Sequence, residues 1–446
     1  MNFKLSHQNK ILLVIDSYQQ YQTYLRTRAL EEIKDRVVFL IDSKLAKVDF
    51  GVSGDKIFKY DYPAKKDLFY RHIFNMSTTL MSKRHSYWFR TEWHTKRQKR
   101  IYKILSLPVL FGVAKFIFSK LARDKNLFNL IEKINPSIVL LPSHAFEGLT
   151  FEIIRAGKQL KIPSFMLIQN WDTLANRTLF PVKPDYLGVW SQQQFEQAIS
   201  IMGMAEERVF ILGAPRLMHY FSPGAGNQPS PFPFRYVLYG GMADRFDELG
   251  ALRQLDQIIE RRNLGIKIVY RPTPTQHTRN CPDVFFEYDF KHVILDTPAK
   301  AYYKKSASWD ISADGFNPIY YPDLNYYPRL FSNMEYMICS HTTMMIEAPL
   351  FGKRVYALAY DDGRHPNGPH WAYKNFRHLF GLERVPNVRI IRNQEDVEKI
   401  FSPGDRLGQP AEPLDIDYFI SKEATKNHSA DLKKSIDKIM LERCSR

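Results

Sequence analysis

Apolar residues along this chain fall into short, largely β-branched runs separated by stretches with a period near 3.6, and the alternation occurs twice. In the first half, residues 11–15, 37–41, 138–141, 164–168 and 186–189 are apolar at nearly every position, as strands covered on both faces are. Residues 150–160 and 192–202 have helical spacing. In the second half, 236–239, 267–270, 336–339, 355–358 and 388–391 read as strands, and 247–262 and 343–350 as helices. A last helix is expected over about 431–442. Such alternation predicts parallel sheets with helices on both faces and sites at the carboxyl ends of the strands.

The pattern is interrupted once, by SPGAGNQPSPFPF at 222–234, which is dense in Pro, Gly and Ser and has no apolar period. It divides the chain into a first domain at 1–218, a linker at 219–234, a second domain at 235–410 and a tail with a final helix at 411–446. A chain of 446 residues is long enough for two buried cores.

Composition adds little to this picture, but charge adds more. With 44% hydrophobic and 25% charged residues the chain is an ordinary globular protein. Cys281, Cys339 and Cys444 lie far apart without redox or metal-ligand spacing, which points to a reducing compartment. The first sixteen residues, MNFKLSHQNKILLVID, have too short an apolar run for a signal peptide and read as a first strand. A formal charge of +16 asks for an anionic partner. Residues 83–123 hold eleven Lys or Arg against one acid, Glu92, with Tyr87, Trp88, Phe89 and Trp93 interleaved. The apolar stretch from Ile104 is broken by Pro108 and carries Lys115 and Lys120, so it is not a transmembrane helix. This region reads either as a contact with an anionic membrane surface or as a solvated basic face beside a core helix.

Candidate chemistry centres on ICSHTTMMIEAPLFGK at 338–353. Ser340, His341, Thr342 and Thr343 follow a strand and open an apolar helix, where backbone N–H groups and hydroxyls favour a phosphate and where Ser and Thr also serve as ordinary caps. Glu347 lies one turn further on and suits ribose hydroxyls. Arg271, in Arg271-Pro272-Thr273-Pro274, follows a strand and is either a bidentate phosphate ligand or a solvated residue of a proline turn. Gly240 and Gly241 end another strand and permit close backbone approach to a ligand. In the first domain His144, Glu147 and Asp172 follow strands and are candidate bases, or else caps and loop residues. His365, His370 and His378 lack the spacing of a metal site, and Asp361-Asp362 reads as a loop turn as readily as a sugar contact.

The order strand, Ser/Thr-rich turn, Glu-Ala, Gly-Lys, strand at 338–353 resembles the donor-binding region of GT-B glycosyltransferases and of the related nucleotide-sugar 2-epimerases. QNWDTLANR at 169–177 resembles the Ser-Trp-Asp-Asn-Leu segment of bacterial surface-carbohydrate (capsule and O-antigen) transferases. Residues 184–216, which close on Val-x-x-x-Gly-Ala, are similar to the same family. Thr273 stands where that family carries His. The likeness covers mainly 142–216 and 236–395; residues 1–130 show only an α/β pattern.

The resemblance implies an α/β, GT-B-like fold of two Rossmann-like domains facing a central cleft. It implies transfer of a sugar from a nucleotide-sugar donor, held by Gly240, Gly241, Arg271, Ser340 to Thr343 and Glu347, to a glycan or lipid-linked acceptor. Asp172 is the first candidate base, then Glu147, then His144. No cofactor beyond the donor substrate and no metal is implied. Retaining GT-B enzymes carry two glutamates separated by seven residues, whereas Cys339 and Val355 occupy the positions eight before and eight after Glu347, which points to inversion. The expected setting is cytoplasmic, peripheral on the inner face of the membrane. A nucleotide-sugar 2-epimerase is the alternative, although its His-Val-Glu-Ala-Gly segment has no counterpart here. A non-enzymatic nucleic-acid-binding protein is the third reading; no nucleic-acid-binding signature accompanies the charge, so nucleic acid is not expected as a partner.

Overall fold

The computed structural model describes residues 10–85, 95–177, 179–242, 246–273, 285, 288–299, 323–365, 368–402 and 412–444. Tyr87, Trp88, Phe89, Glu92, Trp93, Pro274 and Cys281 lie outside the described residues, as does the stretch 403–411. Two compact units are present, one formed by Met1–Met218 with Phe419–Arg446 and the other by His219–Tyr418.

Seven parallel strands build the first unit: β1 Ile11–Ile15, β2 Val37–Ile41, β3 Ile57–Lys59, β4 Ile138–Ser143, β5 Ser164–Ile168, β6 Tyr186–Val189 and β7 Val209–Ile211. Their order in the sheet is β3-β2-β1-β4-β5-β6-β7. Every residue of β1, β2, β4, β5 and β6 is buried, the burial that parallel strands with helices on both faces require. The second unit repeats the plan with β8 Tyr236–Gly240, β9 Lys267–Arg271, β10 Val293–Leu295, β11 Tyr336–Cys339, β12 Arg354–Leu358 and β13 Val388–Ile391, in the order β10-β9-β8-β11-β12-β13. In each sheet the chain runs outward from a central strand in one direction and then resumes on that strand's other side. The reversal falls between β1 and β4 and between β8 and β11. Loops leaving such a pair diverge to opposite faces and open a crevice at the carboxyl ends of the strands.

Two boundaries differ from those expected. The stretch expected as a linker at 219–234 is stitched into the second unit: Asn333 Nδ2 donates to the Gln228 carbonyl at 2.9 Å, Arg329 Nε donates to that of Pro229 at 3.2 Å, and Phe232 packs edge-on to Tyr236. The end of the chain, read from sequence as a tail with a final helix from 411, is part of the first unit from Phe419 onward. Its helix His428–Cys444 buries Leu432, Ile436 and Ile439, one stripe at helical spacing. Each such side chain contributes roughly 1.5–3 kcal/mol. Arg36 pairs with Asp437 at 2.9 Å, and the Glu32 N–H reaches Ser429 Oγ at 2.9 Å.

The Gly-Ala turn after β7 shows what this docking demands. Gly213 has φ +71°, and a Cβ there would lie 2.2 Å from the Thr425 nitrogen. Ala214 N–H donates to Thr425 Oγ1 at 2.9 Å. Only glycine lets the returning segment pass so closely.

His428 is fully buried at the same junction. Its Nδ1 lies 2.7 Å from the Leu212 carbonyl, so Nδ1 carries the proton, and Nε2 is buried with no hydrogen-bond partner among the described residues. Burial pushes its pKa down to about 4, because a second ring proton would have no acceptor. The unfolded chain therefore binds a proton between pH 6.5 and 4 that the fold refuses, and stability falls as the pH drops through that window. The expected loss is on the order of 3 kcal/mol. Urea midpoints of the full chain measured from pH 7 to pH 4 should show this slope, and His428→Gln, which cannot titrate, should flatten it.

Candidate functional site

At the reversal of the second sheet, β8 ends in Gly240-Gly241 and β11 in Ser340-His341-Thr342-Thr343. Both glycines have a packing reason. A Cβ on Gly240 would lie 2.4 Å from Met337 Cε, and one on Gly241 2.9 Å from the Pro272 Cα. Gly241 N–H also donates to the Arg271 carbonyl at 2.8 Å, which holds the two loops together. Their small size brings the turn against its neighbour strand, not only toward a ligand.

Ser340 is buried, its hydroxyl donating to the Leu358 carbonyl at 3.0 Å while Tyr373 Oη donates to its own carbonyl at 3.0 Å. The helix expected over 343–350 is a single α-turn, Met344–Glu347, followed by the 3₁₀ turn Ala348–Phe351, because Pro349 cannot continue the helical ladder. Gly352, at φ +69°, then ends it. Thr342 and Thr343 are partly exposed, and Thr343 makes no capping bond to the turn it precedes. His341 packs edge-on to Phe376.

Two donor candidates are engaged within the protein itself. Arg271 is only 5% exposed: its Nη1 pairs with the fully buried Asp296, its Nη2 donates to Tyr327 Oη at 2.8 Å, and its guanidinium lies 4.9 Å from the Tyr327 ring. Tyr326 Oη donates to the other oxygen of Asp296. Arg271 is thus neither a solvated turn residue nor a phosphate fork with both ends open, but the counter-charge that lets Asp296 be buried. Glu347 is also buried, accepting a hydrogen bond from Tyr220 Oη. Asp361 and Asp362 form a loop turn, with Asp361 accepting from Gly363 N–H and Asp362 from Arg364 and His365 N–H, each at 2.9 Å. Among the described residues no group of three His, Cys, Asp or Glu is arranged to hold a metal ion.

At the reversal of the first sheet the loops after β1, β4 and β5 meet. Glu147 caps its own loop: Ser143 Oγ donates to it at 2.6 Å, and the backbone N–H groups of His144 and Phe146 approach it at 3.2 Å each. This tight turn places Ala145 at φ +61°. His144 Nδ1 lies 3.1 Å from Asn170 Nδ2, and Arg216 Nη1 lies 3.4 Å from Asn170 Oδ1, which orients the amide so that its N–H₂ faces the imidazole. The proton of neutral His144 then sits on Nε2. Asp172 is half-buried, two residues further along the loop after β5. Gln194 Nε2 fixes that loop by donating to the Asn170 and Trp171 carbonyls at 2.9 Å each, and the π-helical turn Thr173–Arg177 follows directly. His144 and Glu147 are brought together on one loop, and Asn170, on the loop that also carries Asp172, contacts His144.

Asp16 joins this group without having been singled out from sequence. It is the residue immediately after β1, and its N–H donates to Gln20 Oε1 at 2.7 Å while Gln20 Nε2 donates to the Pro142 carbonyl at 2.9 Å. Burial first, then the charges of Glu147 and Asp42, hold the Asp16 carboxyl well above the usual carboxylate range. An acid directly after the central strand of a parallel sheet was the available signal.

No protein-family model and no curated protein matches the chain. Solved structures do match along nearly its whole length. The UDP complex of S. aureus MnaA has a TM-score of 0.52 at 12% identity, over 96% of this chain and 97% of that one. A putative UDP-N-acetylglucosamine 2-epimerase from Listeria monocytogenes gives 0.51 at 14% identity, over 97% of each. The UDP-GlcNAc 2-epimerase from Methanocaldococcus jannaschii gives 0.50 at 11%, over 95% and 99%. What is shared at these identities is the fold, two Rossmann-like units of the GT-B type.

Because the fold raises the Asp16 pKa, the native state holds a proton that the unfolded chain releases near pH 4. The stability this gives is present at low pH and is lost as the pH rises through the folded-state value. Asp16→Asn, neutral at every pH, should match the wild type in urea midpoint at acidic pH and gain on it as the pH rises. A difference that does not change with pH would show that the carboxyl is not shifted upward in the fold.

Proposed function

We propose that the chain is a nucleotide-sugar enzyme, and specifically an inverting glycosyltransferase of bacterial surface-polysaccharide synthesis. In this reading the second unit holds the nucleotide-sugar donor and the first unit holds a glycan or lipid-linked acceptor. The observation that carries it is the pair of switch points, one per sheet, each lined by polar residues on strand-end loops.

On the donor side, Thr342 and Thr343 offer hydroxyls and backbone N–H groups to a diphosphate, with Gly240 and Gly241 closing the turn beside them. Ser340 and His341 shape that turn from behind. Arg271 and Glu347 contribute by position, as the counter-ion of Asp296 and the partner of Tyr220. On the acceptor side, inversion needs an ionised base beside the attacking hydroxyl. Asp172 takes that role, His144 donates a hydrogen bond from Nε2, and Glu147, tied to three groups of its own loop, positions His144. A phosphorylated or lipid-linked acceptor agrees with the net charge of +16.

A second reading, a 2-epimerase acting on the nucleotide sugar alone, is favoured by one feature. The Glu147 carboxylate is near enough for its charge to help raise the Asp16 pKa, and two carboxyls that interact in this way are the raw material of an acid–base pair. Incubation with UDP-, GDP-, CDP- and CMP-sugars separates the two. Nucleotide release that requires an added glycan or lipid-linked acceptor is the expected result, and conversion of a nucleotide sugar without acceptor selects the epimerase. Asp172→Asn should lower transfer by about 10²–10⁴-fold with little change in donor KM. Unchanged turnover would remove Asp172 from the base position.

A further inference from the structure

Among the described residues twelve large apolar side chains are exposed, and nine of them lie between Ile101 and Leu121. Eight of these belong to two helices, Lys96–Leu105 and Pro108–Leu121, that meet at an angle of 102°, and Leu107 lies at the bend between them. On the second helix Val109, Val113, Phe116, Ile117 and Leu121 form one outward stripe at helical spacing, with Val109 80% and Phe116 62% exposed. The opposite stripe is also apolar and is already used: Phe118 stacks on Phe69 and His72 of helix Ala64–His85, and Ala114 is buried. Ile101, Ile104 and Leu107 extend the outer surface around the bend. An apolar patch of this extent on a folded surface marks a contact.

Charge identifies the contact. Between residues 96 and 123 there are eight Lys or Arg and no Asp or Glu. A second copy laid on this face would set those cations against one another, whereas anionic headgroups neutralise them. The Nζ atoms of Lys115 and Lys120 lie 5.9 and 5.3 Å from the Phe111 and Phe116 ring centroids, so cations and aromatic rings share this face, the combination that suits a headgroup interface. No single described helix is long and apolar enough to cross a bilayer, and the first helix of the pair carries five Lys or Arg. The bent pair has the length and composition of a broken span only when its two helices are taken together, and the cost of carrying those cations into a bilayer favours a helix lying in the headgroup plane.

We infer that Pro108–Leu121 is an interfacial helix that seats the first unit on an anionic bilayer, with Lys96–Leu105 supplying the headgroup contacts. The supporting helix Ala64–His85 also reaches the candidate site: its Asp67 accepts from Gly148 N–H at 2.8 Å, and Gly148 directly follows Glu147. The docked face and the loop of His144 and Glu147 are thus joined through one helix of the first unit. The inference does not depend on which reaction the site performs.

Flotation of the full chain with vesicles tests it. Binding to vesicles containing about one-third phosphatidylglycerol should exceed binding to pure phosphatidylcholine by at least tenfold and should weaken with salt. Phe116→Gln with Ile117→Gln, both exposed in the fold, should reduce binding roughly tenfold or more on either lipid. Arg97→Gln with Arg100→Gln should abolish the preference for the anionic lipid, and unaltered thermal unfolding of both variants shows that the fold is kept. The inference is overturned if the wild type does not float, or if neither variant alters flotation. It is also overturned if light scattering finds a dimer that the Phe116–Ile117 variant converts to monomer.

Discussion

Parallel pairing of the strands is the constraint from which the rest follows. All thirteen strands run parallel to their neighbours within their two sheets, so every loop that leaves a strand's carboxyl end lies along one edge of its sheet. Because the order reverses beside β1 and beside β8, the loops there separate and leave room. Asp16, His144, Glu147 and Asp172 in one unit, and Gly240, Gly241, Thr342 and Thr343 in the other, are chemically interesting because of this placement. Elsewhere in the chain the same residue types would be caps and turns.

The polar groups drawn into these crevices each had to be reconciled with burial. Asp296 is buried because Arg271 pairs with it and Tyr326 donates to it, while Tyr327 holds Arg271 in place. Glu248 is buried because Met242 N–H and Tyr270 Oη both donate to it, at 2.6 and 2.8 Å. Glu147 satisfies its loop, and the Asp16 carboxyl has its pKa raised instead. These are different solutions to one cost, that of a charge removed from water. Thr342, Thr343 and Asp172, by contrast, are only partly buried.

Much of this was legible from residue patterns, and the failures have physical causes. Strands buried on both faces announce themselves as apolar runs, which is why β1, β2, β5, β6, β11 and β13 fall where the pattern places them. β3, β7 and β10 are three-residue strands at or near the sheet edges, and IFK, VFI and VIL are too short to show a period. Arg271 was visible, but its partner Asp296 is 25 residues away along the chain and is brought near only by the pairing of β9 with β10. The last helix showed its apolar stripe, whereas its docking site, the Gly213 turn of the first unit, is a property of the folded chain. The segment at 219–234 looked like a linker because proline and glycine suppress periodicity whether or not the chain is packed.

The central claim is that the carboxyl edge of the second sheet, at Thr342 and Thr343, holds the phosphate end of a nucleotide. Unfolding of the full chain in urea with UDP, GDP, CDP or CMP tests it most directly, because a ligand bound only by the native state raises its stability by about 2.7 kcal/mol at 100 times its Kd. The account predicts that at least one of these nucleotides raises the midpoint in a concentration-dependent way, and that Thr342→Val with Thr343→Val removes the effect while the unliganded midpoint stays near that of the wild type. A midpoint indifferent to all four nucleotides, or a nucleotide effect that survives the double substitution, would contradict it.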